Sequence, residues 1–284
     1  MIIIRIQGGL GNQLFQYAAG RCLAEKLHTE CKLDLSSLHK NQLRQSDLNY
    51  FSFEPLIATK KEIKQFVFFP SLYRHSPALF SKLGKNIYRE PHYHFDENFY
   101  RIKNQVYLDG YWQSEKYFKP LEVLLRKELT IKPELVSHLA GSTKEWSSKE
   151  TIAVHIRRGD YTQQKIQDYH GTLSAGYYNN AIDALAAKFN NPFFCFFSDD
   201  IKWVKENINI QYPHEFISGY TKSAIEDFYL MSQCKHNIIA NSSFSWWAAW
   251  LNNHPGKMVV APRQWFNNAN LDTKDLTPEN WLCI

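Results

Sequence analysis

The chain has 284 residues, of which 44% are apolar and 15% aromatic, and its formal net charge is +5. That length and apolar content suffice for one large or two ordinary domains and exclude a disordered chain. The charge is too small and too evenly spread for a nucleic-acid binder, and no apolar run reaches the roughly 18 residues of a membrane span.

Met1 to Ile6 is a β-branched run of the kind buried on both faces of a parallel sheet. Arg5 and the glycine turn behind it leave no signal-peptide core, which needs roughly 7–15 apolar residues. Gly8, Gly9 and Gly11 make the turn. A helix is predicted from Asn12 to Leu27, with Leu14, Ala18 and Cys22 inward, then a strand at Lys32–Leu35. This β-turn-α-β opening is that of a Rossmann-like sheet. Residues 36–105 have little period and predict irregular helices and long loops. Val106–Leu108 predicts a strand, followed by "GYWQSEKYF" (Gly110–Phe118) and a helix from Ser114 to Leu129 with Phe118, Leu121, Leu125 and Leu129 inward.

"GSTKEWSSKE" (Gly141–Glu150) is polar and rich in small residues, and predicts a linker between domains 1–145 and 146–284, the last residues being free to pack back on the first domain. A second alternation follows: strand 151–156, helix 174–188, strand "PFFCFF", helix 201–208, strand 214–217, helix 223–232, strand "HNIIAN", helix 243–252 and strand "KMVVAP". Strands alternating with helices at this spacing predict an α/β fold with parallel sheets. The five cysteines include no C-x-x-C pair, and Cys22, Cys195 and Cys234 sit in apolar stretches, so all are expected reduced, as in a cytoplasmic protein.

Chemistry concentrates where strands end. In "HIRRGDY", alternation puts His155 and Arg157 on one face and Ile156 and Arg158 on the other. Arg157 is the candidate phosphate ligand, because a guanidinium binds phosphate bidentately, and Arg158 is expected to brace a loop or carboxylate. In "NSSFSWWAAWL", Ser242 and Ser243 are favoured N-caps, and a helix start beyond a strand's carboxyl end is an anion site. "GGLGNQ" permits close backbone approach and places Asn12 and Gln13 at a helix start, but matches no phosphate-loop pattern. In "SAIEDF", Ser223 and Glu226 match a capping box, which leaves Asp227 unexplained on an apolar helix. "SDD" (Ser198–Asp200) is expected to cap the next helix, and the chain contains no D-x-D.

The blocks "GGLGNQLFQYA", "HIRRGDY" and "NSSFSWWAAWL", in this order, resemble the alpha-1,2-fucosyltransferases of glycosyltransferase family 11, and "GYWQSEKYF" resembles the bacterial members. The resemblance implies the GT-B architecture, two Rossmann-like domains facing a cleft. It implies GDP-fucose as donor, inversion at the anomeric carbon, no cofactor and no metal. Its donor-binding residues would be His155, Arg157, Arg158, Asp227, Asn241, Ser242, Ser243, Phe244, Gly11 and Asn12. Arg157 would hold the β-phosphate, His155 and Asp227 would contact guanine, and Asn12 would lie near the fucose. The catalytic set is Arg157, Asn12 and Asp160, the last as general base, with Asp168 and His170 as other candidates. The implied acceptor is a galactose-terminated glycan, as in a surface-polysaccharide or O-antigen precursor on a lipid carrier. Without the anchor of the animal members, the chain is expected to be bacterial and cytoplasmic, with at most peripheral membrane contact. Another GDP-sugar transferase of the same plan, or a non-catalytic sugar- or nucleotide-binding protein, is the alternative.

Overall fold

The computed structural model describes residues 1–38, 46–77, 84–159, 171–268 and 271–284. The chain forms two compact units, the first from residues 1–130 and 272–278, the second from 131–271 and 279–284. Each is built on a parallel sheet.

In the first unit the strands are β1 (Ile2–Arg5), β2 (Cys31–Asp34), β3 (Leu56–Ile57), β4 (Ile87–Arg89) and β5 (Val106–Asp109), in the order β3-β2-β1-β5-β4. β1 is central because its apolar run can be covered on both faces: Ile2, Ile3 and Ile4 are all 0% exposed. Helix α1 (Leu10–Lys26) follows it and is buried almost all round from Leu10 to Ala24. Helices α2 (Lys60–Phe66) and α3 (Pro70–His75) cover the Ile3 face through Ile63, Phe66 and Tyr73. The expected helix 114–129 is instead two 3₁₀ turns and the short α4 (Glu122–Glu128). Pro120 accounts for the break, since it lacks an N–H and clashes with the preceding turn. Phe118, Leu125 and Leu129 are nonetheless buried.

The second unit begins with α5 (Pro133–Val136) and α6 (Ala140–Trp146). The expected linker is therefore largely helix α6, anchored by the buried Trp146. Then come β6 (Glu150–Ile156), α7 (Ala175–Ala186), β7 (Pro192–Ser198), α8 (Ile201–Asn207), β8 (His214–Phe216), α9 (Ala224–Gln233), β9 (His236–Ile238), α10 (Ser243–Leu251), β10 (Val259–Ala261) and β11 (Leu282–Cys283). The order β11-β10-β9-β6-β7-β8 is the doubly wound Rossmann order, which reverses direction between β6 and β9. Helices α7 and α8 bury one sheet face through Ile182, Leu185 and Val204, while α9 packs on β6, β7 and α10. All five cysteines are free thiols. No helix among the described residues is long and apolar enough to cross a membrane.

Candidate active site

Ligands of open α/β sheets bind beyond the strands' carboxyl ends where the order reverses. In the second unit that point lies between β6 and β9, the two strands that carry "HIRRGDY" and "NSSFSWW". Val154 pairs with Ile238. Arg157 and Asn241 lie equally far beyond that pair, so the two motifs leave the sheet side by side.

Side chains alternate along β6 as expected. Ile152, Val154 and Ile156 enter the core under α7 and α8. His155 faces the other way, its ring centroid 5.8 Å from that of Phe244 in the first turn of α10. Arg157 donates from Nη1 to Asp199 Oδ2 at 2.9 Å, and the backbone N–H of Arg158 donates to Asp199 Oδ1 at 2.9 Å. The Arg158 side chain turns to the α8 side, where its guanidinium stacks 4.0 Å over Trp203 and its Nε lies 3.5 Å from Asp200. Arg158 is a brace. By alternation Arg157 follows His155, the residue that faces α10.

His155 is 6% exposed and its Nδ1 has no partner among the described residues. Burial pushes its pKa down to about 3, aided by the Arg157 charge and opposed by Asp199. It is therefore a neutral imidazole near pH 7, with one donor and one acceptor nitrogen and no charge to offer a phosphate. The α10 helix start is open. The Ser242 hydroxyl makes no capping bond, contrary to expectation, and the first turn's backbone bonding begins with Trp246 N–H to Ser242 O at 3.0 Å. The amides of Ser243, Phe244 and Ser245 thus have no intrahelical acceptor and form the kind of terminus that attracts anions.

The other predicted residues do different work. Asn241 is 2% exposed, and its Nδ2 donates to Gly171 O and Trp265 O, each at 3.2 Å, tying the loops after β6 and β10 to the strand end. Asp227 accepts from Ser218 Oγ at 2.5 Å and Thr221 Oγ1 at 2.6 Å, and Ser218 Oγ in turn accepts from Ser198 N–H at 3.1 Å. Burial raises the Asp227 pKa, against the two hydroxyls that lower it. The expected capping box does not form: Glu226 accepts from Lys222 N–H at 2.9 Å and Ser223 Oγ at 3.2 Å, one residue short of the N-cap amide, and the Ser223 side chain makes no cap bond. Asp200 caps α8 by accepting the Trp203 N–H at 3.0 Å, as expected for "SDD". Asp199 instead holds Arg157, a role the dipeptide alone did not distinguish. Asp160, with Asp168 and His170, lies outside the described residues.

In the first unit the strand order reverses between β1 and β5, and "GGLGNQ" and "GYWQ" sit at those ends. The glycine turn is required: Gly8 has φ +83°, and a Cβ there would lie 2.7 Å from Asn12 Nδ2. α1 starts at Leu10, so Gly11 and Asn12 both fall in its first turn. Asn12 Oδ1 accepts from Gln113 Nε2 at 2.8 Å. Gln16 links the two ends, accepting from Gln7 N–H at 2.9 Å and donating to Gly110 O at 3.2 Å. Glu90, just past β4, accepts the N–H groups of Tyr111 at 2.6 Å and Trp112 at 2.9 Å. Burial raises its pKa to about 7 in spite of those two bonds. Gln16 and Gln113 lie inside the quoted blocks "GGLGNQLFQYA" and "GYWQSEKYF" but nothing local singles them out there, and Glu90 lies in no motif. Parallel pairing of Arg89 with Asp109 brings Glu90 to the turn.

Comparison with known proteins agrees with these motifs. The family model for Glycosyl transferase family 11 matches residues 79–284. An alpha-1,2-colitosyltransferase of Escherichia coli is 34% identical, with 100% of this chain and 99% of that protein covered. A galactoside 2-alpha-L-fucosyltransferase SEC1 of Bos taurus is 33% identical over 51% of this chain and 42% of its own length. In fold, the chain is similar to a mutant of Arabidopsis thaliana FUT1 solved in complex with GDP, with a TM-score of 0.54 at 12% identity over 91% of this chain and 69% of that one. By family match and full-length similarity, this chain belongs to glycosyl transferase family 11 and is a glycosyltransferase of the GT-B fold class.

Proposed function

We propose that the enzyme transfers L-fucose from GDP-β-L-fucose, with inversion and without a metal, to a galactose hydroxyl of a glycan or polysaccharide precursor. The observation that carries this reading is the pairing of Arg157 with the open α10 start at one strand-order reversal. A guanidinium presents its N–H donors in a fixed planar fork that matches phosphate oxygens. It and the amides of Ser243 to Ser245 follow neighbouring strand ends and would offer charge and donors to a diphosphate. The neutral His155, with its Nδ1 unpartnered among the described residues, supplies a polar edge beside it for the base.

The reaction is a single displacement. The acceptor oxygen attacks C1 of fucose as the bond to the β-phosphate breaks, and the sugar passes through an oxocarbenium-like state. Charge grows on the departing diphosphate, where Arg157 and the helix amides are already oriented to receive it. The family resemblance gives Asn12 a donor contact, and Asp160 takes the acceptor proton. Fucose transfer is favoured by the motif resemblance and by the bovine relative. A second reading, transfer of colitose, is favoured by the full-length likeness to the E. coli colitosyltransferase. The acceptor on either reading is a cytoplasmic lipid-linked precursor met by peripheral contact.

A donor panel decides. GDP-fucose, GDP-colitose, GDP-mannose and UDP-galactose are each incubated with β-galactosides and excess EDTA. GDP release and the product's anomeric NMR signals are then recorded. GDP-fucose is expected to give an α-1,2-linked product at an EDTA-independent rate. Turnover of GDP-colitose alone would replace the sugar and keep the mechanism, whereas turnover of a UDP-sugar alone would sink both.

A further inference from the structure

Two glutamines, a glutamate and an asparagine tie the turn after β1 to the turn after β5, and the reading above uses only the asparagine. We propose that Gln113 is a positioning residue for Asn12, and that Glu90 holds Gln113 in place by gripping the backbone of the turn that carries it. The proposal rests on the reading of Asn12 as a donor contact.

A carboxamide has an accepting end and a donating end, and only the donating end suits an anionic diphosphate or the lone pairs of a sugar oxygen. Gln113 Nε2 donates to Asn12 Oδ1 at 2.8 Å, which engages the accepting end. The Nδ2 end lies against Gly8, in space that any side chain at that position would occupy. The Asn12 amide is thereby set in one sense. With Gln113 removed, rotation about the terminal bond lets Asn12 turn its oxygen toward the ligand, and a favourable contact becomes a repulsive one.

Gln113 is 8% exposed and sits in a turn that does not hold its shape by propensity. The preceding Trp112 has φ +58°, a left-handed conformation that a bulky residue adopts only under constraint. Two features supply the constraint. The Trp112 indole is fully buried against Tyr117, Phe99 and Tyr88. The Glu90 carboxylate takes the N–H of Tyr111 on Oε2 and of Trp112 on Oε1, one oxygen to each. Gly110 lets that carboxylate approach, because a Cβ there would lie 2.4 Å from Glu90 Cβ.

A double-mutant cycle reads the coupling. kcat/KM is measured for wild type, Gln113→Ala, Asn12→Ala and the double variant, with whichever of GDP-fucose or GDP-colitose the wild type consumes. Misplacing a contact by an ångström costs about 100-fold, so Gln113→Ala is expected to lose on that order. The double variant is expected to match Asn12→Ala, because Gln113 acts only through that amide. Losses that multiply would overturn the proposal, since independent sites add in free energy. Glu90 is read by amide hydrogen exchange in the ligand-free protein at one pH. Glu90→Gln leaves one accepting oxygen for two N–H donors and is expected to speed exchange at Tyr111 or Trp112 at least about tenfold, read above pH 7 where the wild-type carboxylate is ionised. Unchanged protection at both would remove Glu90 from the proposal. If neither donor is consumed, the donor reading fails by itself. The positioning claim then stands or falls on the side-chain NH₂ resonances of Asn12, which are expected to lose their dispersion in Gln113→Ala and, if unmoved, would refute it.

Discussion

Arg157 and Asp199 form a pair in which the carboxylate fixes the direction of the guanidinium. The two partners are 35% and 27% exposed, so water offsets much of the loss when either is removed. Arg157→Ala is therefore expected to leave the melting temperature within a few degrees while lowering kcat by about 10²–10³-fold, the usual cost of losing a preorganised donor to the developing anion. Near-normal turnover in that variant would contradict the assignment. Asp199→Asn keeps a hydrogen-bond acceptor and is expected to lose less. Glu90 makes a separate prediction at the same scale. Its folded pKa is raised from the ordinary 4.5 to about 7, first by burial and then by the charges of Asp109 and Asp96, with the Tyr111 and Trp112 amides opposing. Arg5 and Arg89 face Asp109 at 3.1 and 3.5 Å, and the Tyr117 phenol is raised in turn by Glu90. A carboxyl whose pKa is raised by folding stabilises the fold below its unfolded value, and that stability is lost as pH rises through the folded one. The wild-type melting temperature, taken relative to Glu90→Gln, should therefore fall between pH 4.5 and 7, and a pH-independent difference would refute the shift. His155 contributes with the opposite sign: its folded pKa is about 3 against an ordinary 6.5, so its share of stability is lost as pH falls through that window. The comparison with Glu90→Gln separates the two.

Among elements, α10 joins core to site. Trp246 is 0% exposed and packs against Trp247, Trp250 and Trp281. Trp246→Ala is expected to cost about 3–5 kcal/mol, as for other large aromatic deletions, read as a lower urea midpoint. Loss of less than 1 kcal/mol in that titration would mean that the helix is not fixed by this cluster. The same cluster explains why the second unit could be read from its sequence. "TIAVHI", "PFFCFF" and the aromatic helix have only one way to bury so much apolar surface, and the parallel order follows from short right-handed crossovers. In the first unit, β3 and β4 escaped notice. Leu56 and Ile57 are exposed and the two strands span two and three residues at the sheet edges, so neither leaves a pattern. Motif reading separates Arg157 from Arg158 because spacing along a strand fixes the face a side chain takes, and Arg158 does turn to the α8 side. It missed the bond from Gln113 to Asn12, 101 residues apart, and the grip of Glu90 on its turn, because those contacts arise from strand pairing and not from local sequence. The bonds from the Asn241 Nδ2 to two loop carbonyls are likewise revealed by no local pattern.

On the scale of the molecule, both units draw on the end of the chain. Residues 279–284 supply β11, which pairs with β10, and Trp281, which packs against Trp246. A chain ending at Pro278 is expected to lose stability in the second unit through that missing edge strand and ring, seen as a lower melting temperature and accelerated exchange in β10. Unaltered exchange there would mean that the terminal strand is dispensable. Residues 272–278 serve the first unit instead: Asp275 accepts the Phe95 N–H at 3.0 Å and pairs with Lys116 at 2.6 Å, and Asp272 lies 3.4 Å from His94. The half that begins at Met1 is thus finished by a segment translated only after residues 131–271. A ribosome that has released the first 130 residues has not yet made everything that half requires, so its final consolidation must wait until residues 272–278 have emerged. Nascent chains stalled at residue 268 should accordingly remain protease-sensitive around Phe95 and become resistant only once Asp275 has emerged.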